Sequence, residues 1–237
     1  MQVSIIVPVF NEALLIRPFL SNLRERTRGA EIIVVDGAST DATERLAQGF
    51  CDRVIKSEEP SRAKQMNAGA NAASGDIFWF LHADAEVPED SLNEIGRIMR
   101  CPKVCGGFFR IRLPATPAVY RLTDSFAHHA GLVLRMRCGD HGMFCRRNAF
   151  FEAGGFPDVP LMEDVEFFRR LRRFGRVVHS NKRIRTSPRR YETIGPARLT
   201  FAYGIIATLY AFGVPFPRLA QVYQRTCCVG KEARPSK

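Results

Sequence analysis

A chain of 237 residues with 46% hydrophobic and 25% charged residues has the apolar content for a buried core, which excludes a disordered chain and fits one large domain, alone or with an appendage. Lysine and arginine outnumber the acids 35 to 24, for a net charge of +11, so the partners it favours are anionic: nucleic acid, an acidic membrane surface or a phosphorylated small molecule. No zinc-finger spacing, recognition helix or aromatic-interleaved RNA-binding pattern accompanies the charge, which argues against nucleic acid.

Seven cysteines without a Cys-x-x-Cys pair point to neither a disulfide framework nor a zinc site. Cys101, Cys105, Cys138 and Cys145 sit among apolar neighbours and read as small core residues. The first strand starts almost at residue 1, leaving no room for a signal peptide, so the expected compartment is the reducing cytoplasm.

In chain order, Val3 to Val9 is a continuous apolar run, and Leu14, Leu15, Phe19, Leu20 and Leu23 then recur at helical spacing. Ile32 to Val35 predicts a second strand ending at Asp36, and Asp41 with Glu44 has the spacing of a helix cap and its capping-box partner. Arg53 to Lys56 reads as a short third strand, Arg62 to Ala73 as a helix, and residues 77–83 as a fourth strand. Repeated strand–helix units with strands apolar on both faces predict a parallel sheet covered by helices. Ligands bind such sheets outside the carboxyl ends of the strands. Polar residues collect there: Asn11 and Glu12, Asp36 and Ser39, Arg62, then Asp84 and Glu86.

The run from Ile77 to Glu86 carries the strongest signal, because a core strand ends in two carboxylates spaced i, i+2. Burying an unpaired carboxylate is costly, so these acids should meet solvent or a cation. Two hard oxygen ligands suit Mg²⁺ or Mn²⁺ shared with a substrate's phosphates, and Pro88-Glu89-Asp90 allows the plainer reading that they cap a helix.

The second half is less regular. Gly106 to Leu113 and Gly142 to Arg146 read as strands, Ala118 to Leu134 as mostly helical, and Gly154-Gly155-Phe156-Pro157 as a breaker. Glu163 and Asp164 open a helix over Val165 to Phe174, a place that favours acids through the helix dipole alone. Leu199 to Val214 is the longest apolar stretch, too short to span a bilayer; it reads as a packed helix, with a helix lying on a membrane surface as the second reading. His128-His129 is a helix-surface pair, since i, i+1 rings point apart.

Neither a Gly-x-Gly-x-x-Gly nor a Walker A loop follows strand one; Pro8-Val9-Phe10-Asn11-Glu12-Ala13 stands there, which disfavours a dinucleotide-dependent dehydrogenase. Taken together, Val7-Pro8-Val9-Phe10-Asn11-Glu12, Val35-Asp36-Gly37-Ala38-Ser39-Thr40-Asp41, Asn67-Ala68-Gly69, His82-Ala83-Asp84 and Glu163-Asp164 resemble the family 2 glycosyltransferases, in order and over about residues 1–190. The runs Ser61 to Gly69 and Gly139-Asp140-His141-Gly142 resemble a small soluble bacterial subgroup. The resemblance implies an α/β fold of the GT-A type: a Rossmann-like, mostly parallel sheet flanked by helices, with a C-terminal helical segment. It divides the chain into a glycosyltransferase domain over 1–190 (nucleotide half 1–100, acceptor and catalytic half 101–190), a helical extension over 191–225 and a disordered tail over 226–237.

The implied chemistry is metal-dependent, inverting transfer of a sugar from a nucleotide-sugar, a UDP-sugar, to an unidentified small-molecule or lipid-linked acceptor. By this resemblance Pro8 and Glu12 line the nucleoside pocket, Asp36 accepts from the base, and Asp84 with Glu86 holds Mn²⁺ or Mg²⁺ and the diphosphate. Asp164 is the general base with Glu163 beside it, and Arg189 and Arg190 lie where a basic segment closes over the diphosphate. Gly37 replaces a second Asp, Met66 replaces an Arg, shifting phosphate binding to Arg62 or Lys64, and Tyr191 replaces a Trp. Asp140 and His141 are either acceptor contacts or turn residues. Peripheral contact with the inner membrane face is the most membrane association expected. Two alternatives stay open: a sugar-phosphate nucleotidyltransferase, disfavoured by the missing Gly-rich basic loop, and an inactive nucleotide-sugar-binding protein.

Overall fold

The computed structural model of the protein describes residues 1–112, 141–187 and 189–227. Among the described residues, seven strands form one sheet in the order β3-β2-β1-β4-β6-β5-β7. They are β1 (Val3–Val9), β2 (Glu31–Asp36), β3 (Arg53–Lys56), β4 (Ile77–Phe80), β5 (Val104–Arg112), β6 (Phe144–Arg146) and β7 (Arg176–Arg185). All pairings are parallel except those of β6, which runs antiparallel to both β4 and β5. The expected α/β architecture with a mostly parallel sheet is present.

The helices are α1 (Ile16–Arg26), α2 (Thr43–Ala47), α3 (Arg62–Ala72), α4 (Ser91–Met99), α5 (Arg147–Glu152), α6 (Glu163–Leu171), α7 (Arg189–Ile194), α8 (Pro196–Ala211) and α9 (Phe216–Cys227). Every residue of β1 and β4 is buried, as doubly covered central strands require. Alternate strand residues feed two cores. Ile5, Val7, Trp79 and Phe109 join α1 and α4 on one face, and Ile6, Phe78, Phe80 and Phe108 join α3, α5 and α6 on the other.

The chain forms two compact units. Among the described residues the first holds the whole sheet, over 1–112, 141–158 and 163–186, and the second holds 159–162, 187 and 189–227. The second unit has its own small core of Leu199, Ala202 and Cys227. No described helix is long and apolar enough to cross a membrane.

Several boundaries differ from expectation. The fourth strand ends at Phe80 rather than Ala83, because the chain swings out to present His82 and Asp84. Asp41 does not form a capping box: it accepts from the Ala13 N–H across the loops, while Glu44 pairs with Lys56 at 2.9 Å. β7 and α5 were not foreseen. Ala118 to Leu134, Asp140 and the tail beyond residue 227 lie outside the described residues.

Candidate active site

The carboxyl ends of β1, β2 and β4 share one edge, and short polar side chains tie their exit loops together. Ser39 donates its N–H to Asp36 Oδ2 at 2.9 Å and its hydroxyl to Oδ1, so the buried Asp36 carboxylate is held inside its own turn. The Asn11 N–H donates to Ser39 Oγ at 2.9 Å, the Thr40 N–H to Asn11 Oδ1 at 2.9 Å, and the Glu12 N–H to Thr43 Oγ1 at 2.8 Å. Burial works to raise the Asp41 pKa, but hydrogen bonds from Thr43 and Ala13 outweigh it and keep this carboxyl below its ordinary value. Below the web, the buried Gln65 amide of α3 donates to Val9 O at 2.8 Å and Val35 O at 2.7 Å, clamping the two strand ends.

Among the described residues, three other than glycine adopt left-handed backbone: Asn11 (φ 52°), Ala38 (φ 58°) and Met162 (φ 68°). Each adjoins a predicted site acid, preceding Glu12, following Asp36-Gly37 and preceding Glu163. Such conformations cost of order 1–2 kcal/mol for an L-residue and gather where local geometry serves function. Gly37 is fixed by space, since a Cβ there would lie 2.9 Å from Pro60 Cα and 3.0 Å from Gln65 Cδ. Here Gln65 fills the volume that an Asp side chain would need.

On the side of the sheet covered by α3 and α6, a cleft brings together Pro8 from β1, Arg62 and Met66 from α3, His82 beyond β4, and Glu163 and Asp164 from the first turn of α6. Its floor is apolar: Phe80, Leu81, Met143 and Phe156. Asn67 fixes Phe156 by a reciprocal pair, donating to its carbonyl at 2.8 Å and accepting from its N–H at 2.9 Å. Lys64 points away, paired with Glu59 and, at 3.5 Å, with Asp158, so Arg62 is the α3 cation that lines the cleft.

At the β4 exit, Asp84 is exposed. The Glu86 carboxylate is already engaged, with Oε1 3.3 Å from Arg26 and Oε2 3.6 Å from Arg185, so a metal there would compete with these two cations. No group of three or more His, Cys, Asp or Glu able to hold a metal occurs among the described residues. The exposed Asp84 carboxylate fits the mode in which a divalent ion is shared between protein oxygens and substrate phosphates.

His141 packs edge-on against Phe108, with ring centroids 6.4 Å apart. Arg189 and Arg190 open α7 in the second unit; their side chains, like Asp140, lie outside the described set. A wider depression at the opposite edge, lined by Met1, Leu92, Met99, Arg100 and Arg146, gathers no acid. Sequence reasoning missed Gln65 and the supporting role of Asn67, though both lie in the Ser61 to Gly69 run that it singled out.

A sequence model described as glycosyl transferase family 2 matches residues 4–153. Among curated relatives, an uncharacterized glycosyltransferase of Rickettsia prowazekii is 33% identical over 97 residues, 39% of this chain and 30% of the relative. The chain thus spans under a third of that relative's length. A mannosyltransferase of Pyrobaculum calidifontis, solved with GDP-Man and Mn²⁺, superposes with a TM-score of 0.67 at 22% identity, covering 94% of this chain and 69% of that one. TarS of S. aureus, solved with UDP-GlcNAc, gives 0.62 at 17% identity, covering 95% and 71%. These likenesses establish the GT-A fold.

Proposed function

The chain belongs to glycosyl transferase family 2, and on that premise we propose that it moves a sugar from a nucleotide-sugar donor, a UDP-sugar, to an acceptor hydroxyl by a single inverting displacement. One observation carries this reading: Asp164 and Glu163 share a cleft with Arg62 and the strand-exit residues Pro8 and His82. A dipole-capping role alone would not require the acids to line the cleft at the ligand edge of the sheet.

Asp164 takes the acceptor's proton as the hydroxyl oxygen attacks the anomeric carbon, and the bond to the diphosphate breaks with its electron pair leaving on the nucleotide. Inversion follows from in-line attack, so no covalent nucleophile is needed. Glu163 supports the base from the same helical turn. Pro8, Glu12 and Asp36 border the nucleoside, and Arg62 offsets charge on the departing diphosphate. Asp84 would hold Mn²⁺ or Mg²⁺ against that diphosphate, where a divalent ion supplies Lewis-acid stabilisation of the leaving group.

The expected setting is the cytoplasm, with at most peripheral contact at the inner membrane face. The exposed Phe201 and Phe212 of the second unit support the peripheral contact. The test is Asp164→Asn. This near-isosteric change should leave nucleoside-diphosphate binding by calorimetry intact and lower donor turnover by ~10²–10⁴-fold. Turnover near the wild-type rate would reduce Asp164 to a helix-terminal residue.

A further inference from the structure

The register of β5 and β7 sets Arg110 opposite Arg183 and Arg112 opposite Arg185, with Ile111 opposite Ile184 between them. Ile184 is fully buried, whereas all four arginines are exposed. Strand alternation therefore sends the arginines off the face opposite Ile184. Like charges directly opposite on a sheet repel, so strand pairing does not account for this ladder.

Protection of a sheet edge does not account for it either. Basic residues on β7, the edge strand, would blunt unwanted pairing. Arg110 and Arg112, however, belong to β5, an interior strand between β6 and β7. Nor does the fold neutralise the ladder among the described residues. Arg185 reaches only Glu86, which it shares with Arg26, and Arg110, Arg112 and Arg183 have no ion-pair partner there. Lys182, on the same strand, makes a 2.6 Å ion pair with Asp90, so β7 does receive an acid where a cation serves packing.

The ladder ends at the ligand edge. Glu86 and Arg185 exchange both backbone hydrogen bonds, at 2.8 and 3.0 Å, which fixes the ladder's last rung two residues beyond Asp84. Guanidinium groups in rows match the oxygens of a phosphate group through paired N–H donors.

We propose that Arg110, Arg112, Arg183 and Arg185 form the acceptor's anion site, taking a phosphate group carried by the molecule to be glycosylated. The term acceptor rests on the transferase reading above; the phosphate site itself does not. A soluble phosphate monoester and a phosphate at a lipid surface would present the same chemistry.

The probes are glycerol 3-phosphate, with glycerol as the neutral control, and vesicles containing phosphatidic acid against phosphatidylcholine alone. Each is tested at physiological salt with UDP and Mn²⁺ present to fill the donor side. The proteins are wild type, Arg110→Gln/Arg183→Gln, and a charge-matched control, Arg28→Gln/Arg100→Gln, altered at exposed residues away from the ladder. Wild type and the control pair should bind one of the two phosphate probes, and the ladder variant should bind it at least ~10-fold more weakly, as loss of two charge-assisted contacts implies. The single variant Arg183→Gln should fall between them, which guards against a folding defect in the double variant. Glycerol 3-phosphate binding identifies the soluble source, and vesicle binding alone the lipid source. Failure of both probes with wild type, or equal loss in the control pair, overturns the proposal. UDP affinity measured separately tests the donor reading: if UDP does not bind wild type, that reading fails, and the ladder is judged on the phosphate arms without UDP.

Discussion

A single buried amide spaces two of the strand ends that make the ligand edge. Gln65 donates to the carbonyls of Val9 and Val35 at once. Gln65→Met keeps the volume and removes both donors, which should cost ~1–3 kcal/mol in chemical denaturation and weaken nucleoside-diphosphate binding. Unchanged stability would mean the clamp is dispensable. This role was not legible beforehand, since a Gln between Lys64 and Met66 shows its function only once two distant strands converge on it. The exposure of Asp84 was legible, because a carboxylate at the exit of an apolar strand is costly to bury. Asp84→Ala should abolish the Mn²⁺-dependent gain in nucleoside-diphosphate affinity while leaving metal-free affinity unchanged; calorimetry with and without Mn²⁺ reads it directly. The ion pairs of Glu86 could not be read from spacing, because Arg26 and Arg185 lie far away in sequence.

At the level of elements, the parallel half of the sheet was readable because β1, β2 and β4 are buried on both faces and so carry nearly continuous apolar runs. β7 escaped for the opposite reason. It is an edge strand with only Ser180 and Ile184 buried, and its basic residues obscure any alternation. It is joined to α4 by Glu94, whose carboxylate accepts from Arg97 at 2.8 Å and from Ser180 at 2.7 Å. The Arg97 hydrogen bond, helped by Ser180 against the opposing effect of burial, holds Glu94 at about 2, below its ordinary 4.5. A depressed carboxyl pKa stabilises the fold above the unfolded value and loses that contribution as pH falls through the folded one. Glu94→Gln should therefore lower stability at neutral pH by ~1–3 kcal/mol and flatten the decline between pH 4.5 and about 2. A denaturation series over pH that shows the same slope in both proteins would contradict this. Gly142, just before β6, has φ +56°, and a Cβ there would collide with Ile184 and lie 3.2 Å from Trp79 Nε1. Gly142→Ala should lower the melting temperature sharply, both through strain in the left-handed region and through overpacking.

For the whole molecule, two opposed demands shape the chain. The sheet unit places acids and cations at one edge, while the second unit carries Phe201 and Phe212 at 72% and 84% exposure. Its helix α8 is apolar yet only 16 residues long. The apolar run announced that helix, although not how much of it would stay uncovered, because packing partners cannot be read from hydropathy. Flotation with anionic vesicles should show association that high salt removes, as surface electrostatics requires. Retention through high salt would mean that the aromatic face inserts. Glycosyl transfer at the Asp164 cleft can be followed as product release from a panel of nucleotide-sugars with and without Mn²⁺. Nucleoside diphosphate and free or transferred sugar should form from at least one donor, at a rate raised by Mn²⁺. Pyrophosphate chemistry at the donor, or tight binding of the whole panel without turnover, would contradict it.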